Sequence, residues 1–213
     1  MEFDKLIKIL KSGLEHPLPG KDAQLIMSPQ PVDPKRFLTR ESGSHRQGAV
    51  LIMLYPDQGQ AFFPLIKRPV YEGAHSGQIA LPGGKKEKED PNLIHTALRE
   101  ASEEVGIVPE TVEVLGTLTD LYISASNFLV TPVIGISHIK PDFVPEEKEV
   151  DRIIQTTIGQ LTDPTFRKRK NLELSKNFSL DTPYFEVEKE MVWGATAMIL
   201  GEFLQILENG KQI

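Results

Sequence analysis

Apolar and polar positions follow several distinct rhythms along this chain. Residues 3–14 place Phe3, Leu6, Ile7, Leu10 and Leu14 at spacings of three and four, the stripe of an amphipathic helix. Pro17, Pro19, Pro29, Pro31 and Pro34 then interrupt any pattern, so 16–34 reads as an extended arm. The run "GAVLIMLY" (48–55) has the length and composition of a buried strand. "DQG" (57–59) turns it and "AFFPLIKR" (61–68) returns, which predicts a hairpin with Pro64 at an edge or a bulge. Residues 69–84 are glycine-rich and irregular. A helix is predicted from about 91 to 105, and strands over 111–123 and 128–139. An acidic loop (144–151), a short helix (158–163), a polar, basic loop (166–177), strands within 183–193 and a last helix over 194–207 complete the pattern. No repeat or low-complexity tract appears. The order implies one mixed α/β (α+β) domain over 41–213, with residues 1–40 forming an N-terminal helix and Pro-rich arm.

The segment "LPGGKKEKEDPNLIHTALREASEEVGI" (81–107) departs from ordinary patterning. Asp90 suits a helix N-cap, Pro91 the first helical position, and Gly106 the left-handed position that ends the helix. At about 100° per residue, Ile94, Leu98, Ala101 and Val105 share a core-facing seam. Glu100, Glu103 and Glu104 gather on another face within one turn. Most acidic runs are solvated faces, but two features set this one apart. It lies toward the helix C-terminus, where the dipole disfavours negative charge. No Lys or Arg follows four residues after Glu103 or Glu104. The cluster therefore costs stability until a cation arrives, and Mg²⁺ or Mn²⁺ matches carboxylate oxygen ligands. The upstream Gly83–Gly84 pair lets backbone approach a ligand closely.

Composition narrows the chemistry. The 213 residues carry a net charge of -6, without the basic excess of a nucleic-acid binder. The absence of cysteine excludes disulfides, thiol catalysis and Cys-ligated metals. The N-terminus lacks a signal-peptide pattern and no apolar run spans a bilayer, so a cytoplasmic protein without membrane contact is expected. The helix and arm at the start raise a homodimer.

Arg99–Ile107, "REASEEVGI", resembles the second half of the Nudix signature, G-x5-E-x7-R-E-U-x-E-E-x-G-U with U apolar. The first half departs: one residue is added between Gly84 and Arg99, and Asp90 stands where the pattern has Glu. That extra residue resembles the coenzyme A pyrophosphatase branch, as do "TALREASEEVGI" (96–107), "SNFLVTPVIG" (126–135), "EVDRII" (149–154) and "VWGATAMIL" (192–200). Upstream, Arg68, His75-Ser76-Gly77-Gln78 and Pro82-Gly83-Gly84 keep the branch's register, while Ile66, Pro69, Gly73 and Leu81 depart from it. Gly73 replaces an Arg.

The resemblance implies a Nudix-type α/β/α sandwich with a mixed β-sheet. It implies metal-dependent hydrolysis of the diphosphate of coenzyme A or a derivative, giving 3′,5′-ADP and 4′-phosphopantetheine. Glu100, Glu103 and Glu104 become metal ligands with the Gly84 carbonyl, and Arg99 orients a glutamate. Glu149 is the candidate base or extra ligand, with Glu104 the alternative. Arg68, His75, Gly83 and Gly84 face the substrate. The basic run 167–170 reads as solvated loop, with attraction of a triply phosphorylated ligand as the alternative, and Trp193 and Phe185 read as core or dimer contacts rather than an adenine platform. Rival readings are a Nudix hydrolase of ADP-ribose or a dinucleotide, and a non-catalytic Nudix-fold binding module.

Overall fold

A computed structural model describes residues 1–33, 45–72, 75–175 and 178–211. Strands β1 (Arg46–Asp57) and β2 (Gln60–Lys67) form the expected hairpin. Gln58 and Gly59 join them with φ of 49° and 75°, the conformation of a two-residue hairpin turn. The strands stay paired only from Tyr55–Phe62 to Asp57–Gln60, and then β2 peels away. Its outer side pairs with β8 (Arg152–Thr157), while its inner side meets β3 (Ile79–Ala80) at Ile66 and Lys67. Pro64 lies between the two inner pairings, on a stretch paired on one side, which suits a residue lacking an N–H.

The side of β1 released by this split takes β4 (Gly83–Lys85), from Gly48–Lys85 to Val50–Gly83. The other side runs parallel to β7 (Phe128–Ile136), whose far edge holds β6 (Leu121–Ile123) and β5 (Glu113–Thr117). The eight-stranded sheet is thus mixed, and the cleft between β1 and β2 opens one end of it. Alternation along β1 divides the core. Ala49, Leu51, Met53 and Tyr55 face α3 (Leu93–Val105), while Ile52 and Leu54 face the opposite layer. That layer contains α1 (Phe3–Leu14) and α5 (Gly194–Lys211). A second, antiparallel sheet is formed by β9 (Arg167–Ser175), β10 (Phe178–Val187) and β11 (Glu190–Trp193), after the short α4 (Ile158–Thr162). The result is the α/β/α sandwich that the resemblance implied. No described helix is long and apolar enough to cross a membrane.

Several sequence expectations need correction. The arm is not extended throughout: Gly20–Ile26 forms α2, seated on α5. The stretch 111–123 is two strands, because β5 ends at Thr117 and β6 begins at Leu121. The basic run 167–170 lies on β9 rather than in a loop. There Lys168 pairs with Glu186 and Arg169 with Asp181 on the adjacent strand, so cross-strand partners give these charges a sheet position. Phe3, Leu6, Ile7 and Leu10 of α1 are buried within the chain, so that stripe carries no argument for a second copy. The boundary expected at 40/41 lies outside the described residues.

A buried carboxyl group anchors α2. Glu202 of α5 is fully buried and accepts from the Gly20 amide (3.1 Å), the Thr119 amide (3.2 Å) and Gln24 Nε2 (2.8 Å). Gln24 Nε2 also donates to the Thr119 carbonyl, which fixes its amide orientation. A local reading of a proline-rich stretch cannot find this tertiary anchor. Glu202→Gln sets an amide N–H₂ against the Gln24 donor and is expected to lower unfolding stability by about 1–3 kcal/mol in urea melts.

Candidate active site

Helix α3 starts at Leu93, two residues later than the sequence predicts. Its N-cap is Asn92, whose Oδ1 accepts from the His95 amide at 2.9 Å. Asp90 is instead a buried anchor. It accepts from the Glu87 amide (2.9 Å), from Thr96 Oγ1 (2.9 Å) and from Arg99 Nε (3.0 Å) and Nη2 (3.1 Å), with His95 Nδ1 at 3.0 Å. The Arg99 guanidinium, before the other donors, holds the Asp90 carboxyl well below the usual carboxylate range. At the far end Gly106 adopts φ 74°, the expected helix stop.

Arg99 also carries the countercharge that spacing alone did not reveal. It reaches Glu100 (2.9 Å), Glu103 (2.9 Å, one turn on) and the Lys85 carbonyl (3.0 Å). Glu103 is thereby held on an outer face with its side chain 57% exposed. Glu104 goes the other way. The expected seam of Ile94, Leu98, Ala101 and Val105 is rotated, and Thr96, Ala97, Ala101, Glu104 and Val105 are the buried positions. Small side chains at 97 and 101 let the helix settle onto β1, bringing the Glu104 carboxylate beneath the glycine pair.

That approach leaves no room for side chains. A Cβ at Gly84 would lie 2.4 Å from the Glu100 carboxylate, and one at Gly83 would lie 2.3 Å from the Ala49 carbonyl oxygen. Gly83 also has φ 150°. Its amide donates to Glu104 at 2.7 Å, and Arg68 Nη2 stands 3.8 Å from the same carboxylate. Burial pushes the Glu104 carboxyl up to about 7 from an ordinary 4.5; Arg68 and the Gly83 amide pull it down, and Glu100 and Glu149 push it further up. Burial likewise raises Glu100, with Arg99 opposing.

A cavity of about 540 Å³ opens where β1 and β2 part. Arg68, His75, Gly83, Gly84, Glu100, Glu104 and Glu149 all line it; Arg99 and Glu103 do not. His75 Nδ1 sits 3.0 Å from Gln78 Oε1, and both residues face the cavity. Trp193, expected as a core or dimer contact, is only part-buried and also lines it, while Phe185 is fully buried. Gly73 lies outside the described residues. Among the described residues no three His, Asp or Glu side chains are already drawn into a metal cage. The donor set still fits a hard divalent cation: Glu100, Glu104 and Glu149 border one space, and each of the first two is raised by Glu149.

The NUDIX domain profile matches residues 45–161, more than half of the chain. The chain belongs to the Nudix hydrolase family. An uncharacterized Nudix hydrolase, NudL, of Pectobacterium atrosepticum is 37% identical over 166 residues, covering 77% of this chain and 84% of its own. The NudL of Escherichia coli strain SMS-3-5 is 36% identical over 173 residues, covering 79% and 87%. In fold, the chain is similar to the Nudix hydrolase RenU of M. smegmatis (TM-score 0.53, 18% identity, 81% of this chain and 92% of that one). It is also similar to a MutT/nudix family protein of Enterococcus faecalis (TM-score 0.51, 16% identity, 81% and 65%).

As a Nudix hydrolase the protein is a pyrophosphohydrolase acting on small nucleotide substrates, and its family generally uses divalent metal ions. The burial of the Glu104 carboxyl itself costs stability. A carboxyl with a higher pKa in the folded chain binds more protons folded than unfolded. Stability therefore falls as pH rises from about 4.5 through about 7, and the penalty is complete above that. Glu104→Gln removes it. In chelator-treated protein the variant is expected to be more stable than wild type by roughly 1–3 kcal/mol near pH 8, and to lose that advantage toward pH 4, in denaturant titrations.

Proposed function

We propose that this Nudix hydrolase cleaves the diphosphate of coenzyme A or one of its derivatives, releasing 3′,5′-ADP and 4′-phosphopantetheine or its acylated form. What supports the reading is convergence. The stretches that resemble the coenzyme A branch are far apart in sequence, yet Arg68, His75 and Gln78, Ser126 and Phe128, Glu149, and Trp193 to Thr196 border one cavity with Glu100 and Glu104.

Glu100, Glu104 and the Gly84 carbonyl, with Glu103 from the Arg99-held edge, are the proposed ligands of Mg²⁺ or Mn²⁺. Such an ion, when bound, neutralises phosphate oxygens and makes a water more acidic. The chain's own groups do the rest. Arg68, hydrogen-bonded at 3.4 Å to the Gly83 carbonyl, offers fixed positive charge to the diphosphate. His75 offers a ring N–H beside it. Arg99 is a positioning residue: it sets the rotamers of Glu100 and Glu103 without reaching the cavity. Glu149 takes the proton from the attacking water. Among the described residues it is the cavity-lining carboxylate that no side chain holds, whereas Arg99 binds Glu100 and Arg68 stands by Glu104.

The test is product analysis. Wild-type protein with Mg²⁺ or Mn²⁺ is expected to convert coenzyme A to 3′,5′-ADP, and Glu104→Gln to lose on the order of 10²–10³ in kcat. Chelator is expected to abolish turnover. Hydrolysis of ADP-ribose with coenzyme A untouched would keep the pyrophosphohydrolase and replace the substrate.

A further inference from the structure

Glu149, the base of the proposed reaction, belongs to a loop whose residues 144–149 are all exposed. Its backbone is nevertheless tied down on both sides. The last carbonyls of a helix have no partner within it. At the end of α3 two of them are taken by this loop. The Val144 amide donates to the Val105 carbonyl at 3.0 Å, and the Glu146 amide donates to the Glu104 carbonyl at 3.1 Å. Gly106 permits the approach, since a Cβ there would lie 3.1 Å from the Val144 nitrogen. The Glu146 carbonyl then accepts from the Glu149 amide (3.0 Å) and the Val150 amide (2.8 Å). Past Glu149 the chain is pinned again. Val150 is buried in the cluster that holds Ala97, Ala101 and Val105 of α3. The Asp151 amide donates at 2.8 Å to the carbonyl of Lys67, the residue before Arg68.

Two successive main-chain hydrogen bonds thus join the residue that carries the buried Glu104 carboxylate to the residue that carries the base. We infer that Glu146 is a positioning residue, which through its amide and its carbonyl sets Glu149 against Glu104. Its own carboxylate has no part in this: Oε1 accepts from the Lys148 amide at 3.4 Å within the loop, and Glu146 does not line the cavity. A base has to stay within hydrogen-bond reach of the water it deprotonates. A displacement of about 1 Å can cost roughly a hundredfold in rate. The link meets both demands on Glu149. Its backbone is held at a set place beside the carboxylate helix, and its side chain is left to turn toward the proton. The inference rests on Glu149 being the base and not on which nucleotide diphosphate is cleaved.

Two variants break the link in different ways. Glu146→Pro deletes the amide that meets the Glu104 carbonyl. A glycine inserted between Glu147 and Lys148 keeps both anchored ends and lengthens the exposed turn between them. Each is expected to lower kcat by about tenfold to about a hundredfold on whichever of coenzyme A and ADP-ribose the wild type hydrolyses, with KM and the Mg²⁺ Kd within about threefold. Glu146→Ala, which keeps the N–H, is expected to recover most of the loss seen in Glu146→Pro. A residue that acts through Glu149 adds nothing once the base is gone, so combining either change with Glu149→Gln is expected to cost no further activity, whereas a merely structural role multiplies the losses. Hydrogen exchange on metal-free protein reads the link without turnover. The Glu149 amide is expected to be protected in the wild type and to exchange at least about tenfold faster in the insertion variant. Full kcat in both folded variants, multiplied losses in the double variants, or a loss in Glu146→Ala equal to that in Glu146→Pro overturns the positioning role and keeps Glu149 as base. Full kcat in Glu149→Gln removes the base assignment and the positioning role with it.

Discussion

Strand β4 enters a space with no room for side chains, and the arrangement of the site depends on it. On one side of Gly83 is the β1 backbone, and above Gly84 is the Glu100 carboxylate. Any Cβ there would push α3 off the sheet or β4 off its partner. With both glycines in place, backbone itself becomes part of the site. The Gly83 amide grips one glutamate and its carbonyl meets Arg68. The same constraint requires β1 and β2 to separate, because β4 occupies the edge that a longer hairpin would have used. Close approach, strand divergence and cavity are one feature seen at three scales.

Charge is handled by division. One guanidinium, that of Arg99, serves Asp90, Glu100 and Glu103, and it lies outside the cavity, so its positive charge organises the helix without filling the cavity. Among the described residues, Glu104 receives an amide and a distant guanidinium in a buried position. The helix is thus compensated on its outer side and left short of positive charge on its inner side. That asymmetry supports the cation site proposed on the inner side.

Much of this was legible in the residues. Apolar periodicity located α1, the β1–β2 hairpin, β7 and α5, and the charge run with its glycine pair located the carboxylate helix α3. Its failures have a common physical origin. Asp90 and Asn92 are both good caps on local grounds, and only the distant Arg99 decides that Asp90 serves elsewhere. The core seam of α3 was displaced because alanines at 97 and 101, weak signals by hydrophobicity, permit the closest packing. Helix α2 was hidden because its stabilising carboxylate, Glu202, lies on another element. Trp193 reads as core by composition, and only the position of β11 beside the cleft turns it to the cavity.

The contact between α1 and α5 has a consequence for how the molecule comes to exist. The helices touch backbone to backbone: a Cβ at Gly13 would fall 2.3 Å from the Ile206 carbonyl oxygen, and one at Gly210 would fall 2.0 Å from that of Ile9. During synthesis α1 leaves the ribosome long before its partner, with an apolar face it cannot yet bury. The first turn of α5 also walls the cavity, so that wall is complete only once the last helix has packed. Such sequence-distant closure slows folding. A nascent or truncated chain that lacks α5 has no complete cavity, whatever the state of the carboxylate helix.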